Sequence, residues 1–209
     1  MSRREAPYRF GVYPFDPIVV GHRECEAWAA YYRREWFRFL IYSVMIVRAA
    51  FGLRWRLTFR GAWWVLRANQ VWAPFPDNDP EAARQFMRRF YRMLIAERRL
   101  SFDPTRAAQL EVEWWRVHRE AQHAERASGG DSASETELVR VLNELYAYIY
   151  VTGAEVTRPA ARLRVLAMDR SDRWVAEGCD RHNLLLAAER QALVESYGAL
   201  RATMLPTPL

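Results

Sequence analysis

The chain is predicted to be all-α, a single-domain helical bundle of about six helices behind an extended N-terminal arm. Three observations carry this. Apolar residues recur at helical spacing along most of the chain, Asp-Pro pairs at 79–80 and 103–104 supply a cap followed by a first-turn proline, and no segment of useful length alternates with a strand period. With 209 residues, 51% of them hydrophobic, the chain can bury one sizeable core and is short for two. Residues 1–209 are therefore expected to form one domain.

Residues 5–22 combine Pro7, Pro14 and Pro17 with Gly11, Gly21 and the rings of Tyr8, Phe10, Tyr13 and Phe15, which predicts an extended arm over 1–22 fixed by its aromatic anchors. A helical pattern follows from about Glu24 to Phe51. Between Trp36 and Phe51 its apolar residues cover most of the circumference, as in a central helix enclosed by others or by a partner. Gly52 can end it, and a second helix runs from Arg54 to Val71. Asp79, Pro80 and Glu81 start a helix reaching residue 99, and Asp103-Pro104 starts one reaching about Arg126.

The segment ASGGDSAS at 127–134 reads as a flexible loop, and Ser134 with Glu137 fits a capping box for a helix to about Val151. Two more helices are expected, at roughly 158–176 with Pro159 near its first position, and at about 181–204 with Leu186, Leu193, Tyr197 and Leu200 inward.

Composition excludes some chemistry. All 31 residues counted as Lys or Arg are arginine. Schiff-base and pyridoxal-phosphate lysines, the lysine of a phosphate-binding P-loop and the strand lysine of a protein kinase are therefore absent, and guanidinium cannot replace them. Cys25 and Cys179 are too few for a disulfide framework, and no Cys/His cluster suggests zinc. These features, and an N-terminus without an apolar leader core, point to a cytoplasmic protein. The most apolar run, Phe39 to Val47, is too short to cross a bilayer. No GxGxxG, GxSxG, HExxH or EF-hand pattern is present, and no metal or cofactor is expected.

Two constellations stand out. Residues 1–100 hold 18 Arg against 9 Asp or Glu, and from Trp36 through Pro76 there is no carboxylate at all. In that window Arg56, Arg60 and Arg67 fall within about 40° of one another on one helix face, beside Trp55, Trp63 and Trp64. Arginines without local counter-charge suit an anion, and tryptophan suits a membrane interface or a protein hot spot. The ordinary alternative is that the glutamate-rich second half folds against this stretch and the rings are core.

The second constellation lies within 104–126, where Glu111, Trp115, His118 and Gln122 form a line beside the apolar stripe. His118 could act as a base oriented by Asp169 or Asp172, or simply be a hydrogen-bonded structural histidine beside Trp114 and Trp115. Glu120 and His123 have the spacing of a di-iron ligand pair, but one outward copy is too little for such a centre.

The expected function is non-enzymatic binding, through the Arg/Trp-rich face at about 36–72, to a protein partner, a second copy of the chain, or an anionic membrane surface. That would make the protein cytoplasmic and, for the membrane form, peripheral. Nucleic acid fits less well because no recognition motif accompanies the charge. The alternative is a helical-bundle enzyme or ligand-binding or metal-binding protein with its pocket around His118, Trp115 and Glu111.

Overall fold

The computed structural model describes residues 13–128 and 132–204, with the side chains of 124–128 and 132–135 outside that description. Among the described residues there are eight helices and no strand: α1 Pro17–Tyr32, α2 Trp36–Phe51, α3 Trp55–Trp72, α4 Pro80–Arg98, α5 Pro104–Ser128, α6 Ser132–Ile149, α7 Ala154–Ala176 and α8 Leu184–Thr203. Among the described residues no helix is long and apolar enough to cross a membrane.

The all-helical class holds, and the count rises from about six to eight. Residues 17–22 are helix, not arm: the Asp16 carboxylate accepts from the Ile18 and Val19 amides and Pro17 takes the first turn, the same cap-plus-proline device that starts α4. Residues 1–12 of the expected arm lie outside the described residues. The single helix expected from Glu24 to Phe51 is broken at Arg34, whose φ of 58° is left-handed and turns the chain from α1 into α2. Gly52, also left-handed, closes α2. In α7 the start lies a turn earlier than expected, at Ala154, so Pro159 sits inside the helix. The loop expected at 127–134 is shorter, since α5 reaches Ser128 and α6 begins at Ser132; residues 129–131 lie outside the description, and Ser134, expected as the cap, falls inside the first turn of α6.

Each helix packs on the next in chain order, and α8 returns to pack on α1. The eight helices thus form a closed ring. Its core is aromatic-rich, with Trp72, Phe90, Tyr91, Phe102, Trp114, Trp115 and Tyr146 buried in one cluster. Burying such side chains supplies about 1.5–3 kcal/mol each before the opposing chain entropy is counted. α2 is a wall of this ring and not a central helix: Phe39, Ser43 and Val47 face inward, while Phe37, Ile41 and Met45 face out.

The seam where α8 meets α1 is tight. A β-carbon on Gly21 would lie 2.8 Å from the Val194 backbone nitrogen, so only glycine allows this approach. Two further ties flank it, from the Cys25 thiol to the Leu186 carbonyl and from Arg190 to Glu26 at 3.0 Å.

Glu189 is fully buried in this seam, and neither of its carboxylate oxygens has a hydrogen-bond partner of ordinary geometry. Burial pushes its carboxyl up to about 8; nearby Cys25 and Ser171 offset this only in part, Glu24 adds to it and Arg190 opposes it. A carboxyl raised in the folded state binds a proton there that it has lost in the unfolded chain, so stability falls as pH rises from about 4.5 towards about 8. Glu189→Gln should flatten this dependence. In urea melts the variant is expected to gain about 1–3 kcal/mol over the parent on going from about pH 5 to about pH 9; a gap that does not change with pH contradicts the assignment.

Candidate functional site

The ring surrounds a partly open cavity of about 300 Å³ to which every helix contributes: Trp28 from α1, Phe39 from α2, Trp72 from α3, Tyr91 from α4, Trp115 from α5, Tyr146 from α6, Arg164 from α7 and Leu200 from α8. Most of this wall is ring and aliphatic surface. The polar groups set into it form one connected seam.

At its centre is an ion pair in the core. Arg164 of α7 donates from both terminal nitrogens to Glu24 of α1, at 2.7 and 2.5 Å, and Tyr197 of α8 donates its hydroxyl to the same carboxylate. The guanidinium lies 4.9 Å from the Trp28 ring centre and 5.7 Å from that of Trp114. Burial works against the Arg164 charge, but the Glu24 carboxylate more than offsets it and holds the guanidinium well above its ordinary range. Arg164 Nε has no hydrogen-bond partner among the described residues.

Glu111 of α5 is the second member. Tyr91 donates its hydroxyl to one carboxylate oxygen at 2.6 Å and the Trp114 indole N–H points to the other at 3.3 Å. Burial raises its carboxyl above the ordinary glutamate range even though Tyr91, Arg164 and Trp114 all pull it down. It therefore keeps its proton to a higher pH than a solvated glutamate, and it lines the cavity.

The third member is His118. Its Nε2 lies 2.8 Å from Asp172 of α7, whose other oxygen accepts from Gln122 and faces the Tyr32 hydroxyl at 3.5 Å. Of the two carboxylates that spacing made candidates, Asp172 meets the imidazole. Trp114, whose ring centre is 6.4 Å from that of His118, joins all three members. Glu111, Trp115 and His118 thus line one cavity, as their common face on α5 suggested.

Comparison with family models, with curated proteins and with solved structures gives no match. The site has to speak through its own chemistry. Among the described residues no group of three or more His, Cys, Asp or Glu side chains is placed to hold a metal ion. Glu120 pairs with Arg116 at 2.5 Å, and His123 stacks on Phe75 with ring centres 4.1 Å apart, so these two side chains do not converge.

The Arg/Trp-rich stretch lies elsewhere, on the outer wall. Among the described residues Arg56 and Arg60 are exposed and meet no carboxylate, while Arg67 is half-buried, donates to Gln70 and lies over the Phe86 ring. Trp55 and Trp63 are 57% and 51% exposed; Trp64 instead packs against the main core. The described glutamates of the second half therefore do not neutralise this stripe. The six side chains do not act together, since Arg67 and Trp64 are engaged inside the fold.

Sequence reasoning missed Glu24, Arg164 and Glu189. Each carried a readable signal, a charged residue set among apolar neighbours at helical spacing: Val20, Glu24 and Ala27; Ala161, Arg164 and Met168; Leu186, Glu189 and Leu193.

Removing one partner of the central ion pair strands the other. Arg164→Met or Glu24→Gln should each cost about 3–5 kcal/mol in chemical denaturation, and combining the two should recover part of that loss. Additive losses in the double variant, or a cost below about 1 kcal/mol for Arg164→Met, would show that the pair does not hold the seam.

Proposed function

We propose that the protein binds a compact, predominantly apolar small molecule in the cavity at the centre of its helical ring. The observation that carries this reading is the cavity itself, about 300 Å³ walled by aromatic side chains and crossed by a connected set of buried polar groups. Protein interiors are packed to near-crystalline density, so a space of this size in a core is maintained at a cost and is the usual form of a ligand site. The reading develops the expected pocket around His118, Trp115 and Glu111 in preference to the outer basic face as the primary function.

The lining also favours one sign of ligand charge. Arg164 is neutralised by Glu24, and Glu111 is biased towards its uncharged form. Arg98 and Arg119 line the cavity without a carboxylate partner among the described residues: Arg119 donates to the Tyr31 hydroxyl at 2.8 Å, and Arg98 to the Phe51 carbonyl. An apolar body with an acidic head matches this wall better than an amine does.

Two fluorescent probes with the same ring system separate these statements: neutral phenylnaphthylamine and anionic anilinonaphthalene sulfonate. Both should bind saturably at one site per chain, the anionic probe more tightly. Ser43 is buried and lines the cavity, so Ser43→Phe should fill it and weaken both probes at least about tenfold, with the helical circular dichroism unchanged. Saturable binding that survives Ser43→Phe places the probe elsewhere and overturns the reading; failure of both probes to bind the parent overturns it outright.

A further inference from the structure

We infer that the outer wall formed by α2 and α3 docks on an anionic lipid membrane surface. On α2, Phe37, Ile41 and Met45 repeat at four-residue intervals and are 77%, 38% and 39% exposed. On α3, Trp55, Phe59 and Trp63 repeat in the same way, and Trp55 stacks on Phe59 with ring centres 5.8 Å apart. Two neighbouring helices thus each turn an unpartnered apolar stripe outward, where a monomer in water ordinarily exposes such side chains singly.

Charge identifies the occupant. Around these stripes Arg38, Arg48, Arg56 and Arg60 are all exposed, and no acid stands anywhere between Trp36 and Pro76. Arg48 lies over the Trp55 ring, 5.0 Å from its centre. The carboxylates that come near are peripheral: Glu35 meets Arg38 only at 3.7 Å and is already held by Arg33 and Arg181, and Glu97 is taken by Arg54.

A second copy of the chain does not suit this face. A two-fold contact would set arginine against arginine with no carboxylate from the window to separate them. An anionic bilayer meets both needs at once, since its phosphates pair with the guanidinium groups while the indole and phenyl rings enter the headgroup boundary. None of the six outward side chains lines the cavity, so this inference does not rest on the ligand reading.

Flotation with vesicles tests it. The full chain should float with phosphatidylcholine vesicles containing phosphatidylglycerol, less so as salt is raised, and not with phosphatidylcholine alone. Arg56→Gln with Arg60→Gln should lower the partition coefficient about 30-fold, and Phe37→Ser with Trp63→Ser should lower it while removing the blue shift of tryptophan emission. These positions are exposed, so unchanged helicity and probe binding in the cavity show that the fold persists. Absence of flotation by the parent on anionic vesicles overturns the inference. So does self-association or binding to a nucleic acid or protein that the same substitutions abolish without any effect on vesicles.

Discussion

Everything in this fold depends on the contact that closes the ring, the Glu24–Arg164–Tyr197 cluster joining α1, α7 and α8. Seven of the helix–helix contacts join neighbours in sequence, and such contacts close only short loops of chain. The α1–α8 contact is different: it must bring residue 24 to residue 197 across nearly the whole chain, and only then does a cavity exist. A bidentate ion pair is a good device for this, because its geometry selects one register of three helices where apolar packing alone would tolerate several. Glycine at 21 allows the close approach, and Glu189, buried beside Cys25 without an ordinary hydrogen-bond partner, is the cost of the same seam.

A ring of helices also explains why the interior is aromatic yet not filled. Each helix turns one face inward, and the large side chains on those faces, among them Trp72, Trp114 and Trp115, meet as rings at fixed angles and leave space between them. The polar seam then makes this space chemically distinct. Glu111, His118 and Arg164 are linked through Trp114, so the cavity wall carries a carboxyl raised above the ordinary glutamate range by burial, an imidazole and a guanidinium neutralised by Glu24 among its apolar surface. The outer face of α2 and α3 belongs to the same wall, so the exposed arginine and aromatic stripes and the cavity lie on opposite sides of the same two helices.

Much of this was legible in the sequence, and the limits have physical causes. Local signals worked where local energetics decide: Asp79-Pro80, Asp103-Pro104 and Gly52 mark ends that the structure contains. The Asp16-Pro17 start was equally readable but was masked by the surrounding Pro and Gly residues, and the break at Arg34 had no signal, because a left-handed arginine is stabilised by tertiary contacts and not by its own preference. The line of Glu111, Trp115 and His118 on one helix face survived into the cavity wall. Its partners did not, because periodicity shows which residues share a face but not which helix will face them; Asp172 and Tyr91 could be joined to that line only once the ring order was known. For the same reason α2 read as a central helix, since an apolar circumference looks alike whether a core or a membrane covers its outer half.

Diffraction from crystals pressurised with xenon tests the central claim most directly. Xenon occupies dry apolar cavities in protein interiors and reports their place without any assumption about a natural ligand. Xenon density is expected inside the ring, among the side chains that line it, including Phe39 of α2 and Trp115 of α5, with the Glu24–Arg164 pair intact. A ring collapsed onto itself, with those side chains in contact and no xenon between them, would contradict it.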